Sequence, residues 1–330
     1  MSSDSAMSSL GDRGHRDLRR RALVFGVLGL LLCVMLVAVF EPPGWGAERG
    51  AALELFERVR TGGARVDLAQ APALVLVGLI AGLLAGLLGM AGGVLQVAGM
   101  LVIFKMDILL ARAVSLTTML LATVAAARIH IKNGSVLNHV VRPMLVPCVA
   151  GVCGGVVVGN WLPRVTLSHF FALFALFLAF ATLAQSFVDP NEHVFSGAYP
   201  ATLTPTERTT SGGIGALHGF MCGLLGISGG VVAVPLQQVL MSVPVRHAVA
   251  NTVAISAFAT TVGSVAAVTA GVWRQDFTLP DVLFATLWMG GGALVGAPLG
   301  AHLNGTIRVL YLKLMFVQLS LAAGLLILVR

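Results

Sequence analysis

Charge is what this 330-residue chain has least of. Only 11% of its residues are Asp, Glu, Lys or Arg, where a soluble domain carries about 25%. No Asp or Glu falls deep in an apolar run, so the carboxylate relay that carries protons or sodium through many membrane carriers is missing. There is no paired carboxylate in those runs, no H-E-x-x-H and no Walker G-K-[S/T], which argues against metal-dependent proteolysis, ATP-driven pumping and enzymatic activity in general. Cysteine is sparse: Cys33, Cys148, Cys153 and Cys222 all lie in apolar stretches without metal-ligand spacing. They read as small packing residues, and neither a metal nor any other cofactor is expected. The net charge of +7 does not signal nucleic acid, because much of it sits in the tail residues Arg13, Arg16, Arg19, Arg20 and Arg21. A basic tail beside a hydrophobic run marks the cytoplasmic side of a membrane.

What the chain has instead is hydrophobic length. Its residues are 57% apolar, in runs near the roughly 20 residues that span a bilayer. The lipid bilayer is therefore its first partner, and the class is an all-α polytopic membrane protein. Residues 1–21 read as a cytoplasmic basic tail, and 22–40 as an N-terminal transmembrane helix longer than a signal-peptide core. Residues 41–72 form an extramembrane or interfacial segment, 73–187 a first repeat, 188–211 a polar linker and 212–330 a second repeat.

The repeats are recognised by one stretch that occurs twice. Gly86-Leu87-Leu88-Gly89-Met90-Ala91-Gly92-Gly93-Val94 returns as Gly223-Leu224-Leu225-Gly226-Ile227-Ser228-Gly229-Gly230-Val231, 137 residues later. Glycine clusters suit strained turns and break helices. A broken backbone inside lipid is tolerated only where protein or a polar cavity satisfies it. Two breaks at matching places in two halves point to a transporter binding site. In both halves a helix follows the break (113–129 and 248–270), then a glycine-rich helix (143–162 and 282–303). A bulky one closes each half (168–187 and 307–329), and the first of these is expected to face lipid.

Placing the basic tail and the loop holding Arg128, Lys132 and Arg142 on the cytoplasmic side makes 73–104 a re-entrant hairpin bent at its glycines. Each half then has three true crossings. The fold class follows: two inverted repeats, each a re-entrant or broken helical hairpin plus three transmembrane helices, with one extra N-terminal helix.

Helices restart near Val94 and Val231, and a helix start offers unpaired N–H groups and about half a positive charge to an anion. Gly92, Gly93, Gly229 and Gly230 are the backbone donors expected at the two bends. Ser228, Thr117, Asn251 and Thr252 add neutral hydrogen-bonding groups, which are cheaper to bury than ions. Interhelical hydrogen bonding is the competing role for those polar residues. His218 is the most buried titratable candidate and could carry a coupling proton, with plain hydrogen bonding as its alternative. Arg112 and His247 stand at the expected mouths of the two halves, as anion attractors or as snorkelling side chains. The reading is a secondary transporter of a small anion. A passive anion channel and a non-transporting scaffold or receptor remain the alternatives, and oligomeric state is left open.

At these residues the chain resembles the TauE/SafE sulfite exporter family, also called the TSUP anion permeases, over about residues 73–330. The family pattern is G-x-G-G-G, a proline a few residues on, and an A-x-G-T-S-like helix start. The second half gives Gly226-Ile227-Ser228-Gly229-Gly230, Pro235 and Ala248-Val249-Ala250-Asn251-Thr252. The first gives Gly89-Met90-Ala91-Gly92-Gly93, Ala98 in the proline position, and Ala113-Val114-Ser115-Leu116-Thr117. Ala91 and Ser228 replace the middle glycine of each triplet. The resemblance implies transport of sulfite, organosulfonates such as sulfoacetate, or small carboxylic anions, across a bacterial inner membrane.

Overall fold

A computed structural model of the chain describes residues 70–88, 92–186, 199–200, 202–303 and 309–329. The expected tail, the helix at 22–40 and nearly all of the interfacial segment lie outside the described residues, as do 187–198 of the linker region. Among the described residues there are ten α-helices and no strand. In the first repeat these are α1 (Ala71–Leu88), α2 (Gly92–Val102), α3 (Ile108–Lys132), α4 (Asn138–Trp161) and α5 (Arg164–Ser186). In the second they are α6 (Pro205–Leu225), α7 (Gly230–Met241), α8 (Val245–Trp273), α9 (Leu279–Leu303) and α10 (Val309–Leu328). Five of them, α3, α4, α5, α8 and α9, are long and apolar enough to cross a bilayer.

Local chemistry sets the helix ends. Asp107 caps α3, its Oδ2 accepting the Leu109 N–H at 3.0 Å. α6 starts within the segment expected to be linker. Thr204 and Glu207 form a reciprocal capping box and Pro205 occupies the first turn, so the helix begins before the apolar run does. Its far end closes on Gly226, left-handed at φ +70°, whose N–H returns to the Cys222 carbonyl at 3.0 Å.

Glycine stripes let two helix pairs touch backbone to backbone. Cβ atoms on Gly151 and Gly155 of α4 would collide with the carbonyls of Ala216 and Phe220 on α6, and one on Gly219 of α6 with the Cys148 carbonyl. The equivalent pair repeats the device: Gly78 of α1 meets the Met289 carbonyl of α9, and Gly292 of α9 meets the Val75 carbonyl of α1. Each repeat therefore presses its glycine-rich fourth helix against the first helix of the other. α5 differs from expectation. Its Leu167, Phe171 and Phe174 are fully buried, and the helix packs on α10, because bulky rings fill the gap between the two closing helices; residues such as Phe180 keep an exposed strip.

α3 and α8 run antiparallel. The end of α3 meets the start of α8, where His247 Nδ1 lies 2.7 Å from the Ser135 carbonyl oxygen. The start of α3 meets the end of α8 through an ionic cluster: Arg164 pairs with Asp107 at 3.1 Å and with Asp276 at 2.7 Å, and Arg274 with Asp276 at 3.3 Å. The α6–α7 segment leaves and returns on the side of His247. Ser211, early in α6, donates to the Val140 carbonyl at 2.7 Å, and the Met241 carbonyl at the end of α7 accepts from Tyr199 Oη at 3.3 Å. Tyr199 stacks on His139, one residue before Val140.

Candidate substrate site

The two glycine breaks meet. A Cβ built on Gly93, in the first turn of α2, would stand 3.0 Å from the Ile227 Cα and 3.1 Å from the Ser228 nitrogen. Methionine joins them: the same Cβ would lie 2.4 Å from Met119 Sδ on α3. A larger residue at position 93 would press on the second break and push Met119 aside.

Beside that junction is a cavity of about 70 Å³, a little over two waters at roughly 30 Å³ each. Its polar lining is Gln96 of α2, Thr123 of α3, Ser228 of the second break, and Thr252 and Ser256 of α8. Gly92 and Gly93 bring the start of α2 to its wall, with the unpaired N–H groups and partial positive charge of a helix start. Met119, Ala122 and Val253, with Gly82 and Ala85 of α1 and Ala293 and Ala297 of α9, supply the apolar remainder. No lining residue is charged. The arrangement offers hydroxyl, amide and backbone donors in a low-dielectric pocket, which suits a small oxyanion more than a metal. No cluster of potential metal ligands occurs among the described residues.

The hydroxyls are linked in a chain. Ser228 Oγ accepts the Gly230 N–H at 3.3 Å and lies 3.2 Å from Ser256 Oγ. Ser256 Oγ lies 3.2 Å from His218 Nε2. On the other wall, Thr123 Oγ1 and Thr260 Oγ1 are 3.0 Å apart.

Of the residues singled out from sequence, Gly92, Gly93, Ser228 and Thr252 line the cavity. Gly229 and Gly230 stand behind it, Gly229 pressed against the backbone and ring of the wholly buried His218. Asn251 and Thr117 are turned to other partners. Asn251 Oδ1 accepts the Leu137 N–H at 2.7 Å and its Nδ2 donates to Gln237 at 3.1 Å, while Thr117 Oγ1 donates to the Ala113 carbonyl one turn back at 2.8 Å. Gln237 in turn donates to Thr252 Oγ1 at 2.9 Å. Arg112 is not at an open mouth. It is 1% exposed, donates to Asn160, and packs against Gly159 and Gly226 at the end of α6. His247 is engaged with Ser135.

Sequence reasoning missed Thr123 and Ser256. Their signal is a four-residue period, Ser115-Met119-Thr123 on α3 and Thr252-Ser256-Thr260 on α8, which puts each trio on one helix face.

The chain is similar in sequence to known proteins. Residues 74–327 match the family model described as sulfite exporter TauE/SafE. Over 285 residues the chain is 32% identical to the probable membrane transporter protein MamO of Magnetospirillum gryphiswaldense and 30% identical to that of Paramagnetospirillum magneticum. Each alignment covers 76% of this chain and 44% of the relative, so the chain spans less than half the length of these curated relatives. No solved structure matches it. With the family model covering α1 to α10 almost end to end, this multi-pass membrane protein belongs to the TauE/SafE sulfite exporter family.

Proposed function

We propose that the chain is a secondary transporter of small anions, sulfite or organosulfonates first among them, which binds its substrate where the two glycine breaks meet. One observation carries the reading: breaks from both repeats abut beside a small, uncharged, mostly apolar cavity whose few polar groups are hydroxyls and one amide. The family name suggests the sulfur oxyanion, and the names of the relatives suggest membrane transport. Inverted repeats belong to the same proposal. The antiparallel course of the equivalent helices α3 and α8, and the return of α7 to the side from which α6 set out, both support them.

Alternating access would then rock one bundle, built on the α1–α9 pair, against another, built on the α4–α6 pair, around the breaks. In the present state the Asp107–Arg164–Asp276 cluster ties the repeats together at one end. A bacterial inner-membrane location with a cytoplasmic N-terminus completes the proposal, on the resemblance and on the basic tail.

The test is flux through purified protein in liposomes, with sulfite, methanesulfonate and a dicarboxylate offered in parallel. Saturable uptake of a sulfur oxyanion, with a ceiling set by a driving gradient, is the expected result. Uptake that rises without saturation points to the channel, and no flux of any of them removes the transporter reading.

A further inference from the structure

We infer that the anion crosses together with one proton, held on His218 and passed between ring and cavity by Ser256 and Ser228. The inference rests on the transporter reading above and adds to it the coupling ion and the residues that carry it.

The observation is a continuous line of exchangeable groups from a buried base to the cavity wall. His218 is 0% exposed, and its Nε2 lies 3.2 Å from Ser256 Oγ, which lies 3.2 Å from Ser228 Oγ. Both serines line the cavity and His218 does not. A hydroxyl both donates and accepts, so it passes a proton on without holding charge. The step balances simply. The imidazolium gives its Nε2 proton to Ser256, Ser256 gives its own to Ser228, and Ser228 gives its own to the anion or to water in the cavity. One proton moves, the ring ends neutral, and no electrons change hands.

The surroundings single out this imidazole. The cavity holds no carboxylate, so nothing else at its wall titrates. Of the elements packed on His218, α6 adds the buried thiol Cys222 one turn on, and α4 adds the buried Cys148, whose carbonyl meets Gly219. α8 presents Ser256, and the second break presents the Gly229 backbone. Of the basic groups on these elements and on α3, Arg246 and His247 lie at the start of α8, His139 and Arg142 early in α4, Arg208 at the start of α6, Arg128, His130 and Lys132 at the end of α3, and Arg112 against Gly226, two turns beyond His218. The other ring nitrogen, Nδ1, lies on the side of the Gly229 backbone, which is packed against the ring. Protonation at Nε2 adds a positive charge to a ring packed on the break itself, which links the charge on the ring to the conformation of the anion site.

The experiment uses liposomes loaded with a pH-reporting dye and given methanesulfonate and sulfite. Methanesulfonic acid stays ionised throughout the working range, so any proton that moves with it is carried by the protein. The wild-type protein should take up about one proton per anion, and a pH step of one unit should drive about tenfold accumulation. His218→Gln keeps a hydrogen-bonding group of similar reach but cannot carry the charge. It should retain anion exchange while gradient-driven accumulation falls to unity. Ser256→Ala breaks the chain without touching the ring; its flux falls, and what remains should carry no proton, which keeps the test valid should His218→Gln not fold. Wild-type flux without proton movement overturns this inference alone, and so does an unchanged proton-to-anion ratio in both variants. No flux of either anion in the wild type overturns the transporter reading and this inference with it.

Discussion

Gly93 of the first repeat and Ser228 of the second lie so close that a Cβ at position 93 would stand 3.1 Å from the Ser228 nitrogen. That close approach joins two segments 135 residues apart and places the start of α2 opposite the hydroxyl that opens the second break. Gly93→Ala should shift the junction, since its methyl would meet Met119 Sδ at 2.4 Å and the backbone of Ile227 at 3.0 Å. The expected cost is about 1–3 kcal/mol. Flux should fall well beyond what the fraction of folded protein explains, measured as uptake normalised to the monodisperse protein recovered.

Thr252 and Thr117 make a paired test of where the anion sits. Thr252 lines the cavity, whereas Thr117 is turned to its own helix. Thr252→Val should weaken apparent anion affinity about tenfold, the size of one lost hydrogen bond to a charged group. Thr117→Val should leave it within about twofold. Concentration dependence of initial uptake rates reads both, and equal effects would remove Thr252 from the site.

Asn251 should behave as a structural residue. Asn251→Ala leaves the Leu137 N–H without its partner and frees Gln237, so melting temperature should drop, with about 1–3 kcal/mol lost. Apparent affinity in the folded fraction should stay near wild type.

The close helix pairs predict a graded glycine series. Gly219→Ala and Gly78→Ala each put a methyl 2.0 Å from a carbonyl oxygen of the facing helix, so both should destabilise by about 1–3 kcal/mol. Gly154→Ala and Gly213→Ala meet nothing within 4 Å and gain helix propensity of roughly 0.5–1 kcal/mol. Thermal unfolding in detergent should separate the two pairs by sign.

Asp107 should impose a pH dependence at the ionic cluster. Burial pushes its carboxyl above the ordinary value near 3.9, against the Arg164 charge and the Leu109 N–H that pull it down. The folded state thus holds the proton more tightly than the unfolded chain does. Its contribution to stability is complete below about 3.9 and is lost as pH rises through the folded-state value. Asp107→Asn keeps the α3 cap and removes the charge. The melting temperature of the variant relative to wild type should therefore rise with pH across that window, in scans from pH 4 to 7.

Much of this protein is readable from residue order. Composition alone places it in a membrane, because 57% apolar residues in long runs leave no soluble alternative. The repeated glycine stretch marks both breaks, since helices fail locally wherever glycine clusters, whatever surrounds them. The start of α6 falls where polarity suggests linker, although Thr204, Pro205 and Glu207 carry a helix-start signature in the sequence itself.

Tertiary structure decided which polar groups face the cavity. Asn251 and Thr252 are neighbours on one helix, about 100° apart around its axis, so one turns to Leu137 and the other to the cavity. Only the packing of α8 against α3 and α4 fixes that rotation. The packing of α3 and α4 on the end of α6 buried Arg112, and that of α8 on α6 and the second break set Ser256 between His218 and Ser228. Periodicity along a sequence gives the face of a helix, but which neighbour that face meets depends on contacts between residues 28 to 114 positions apart.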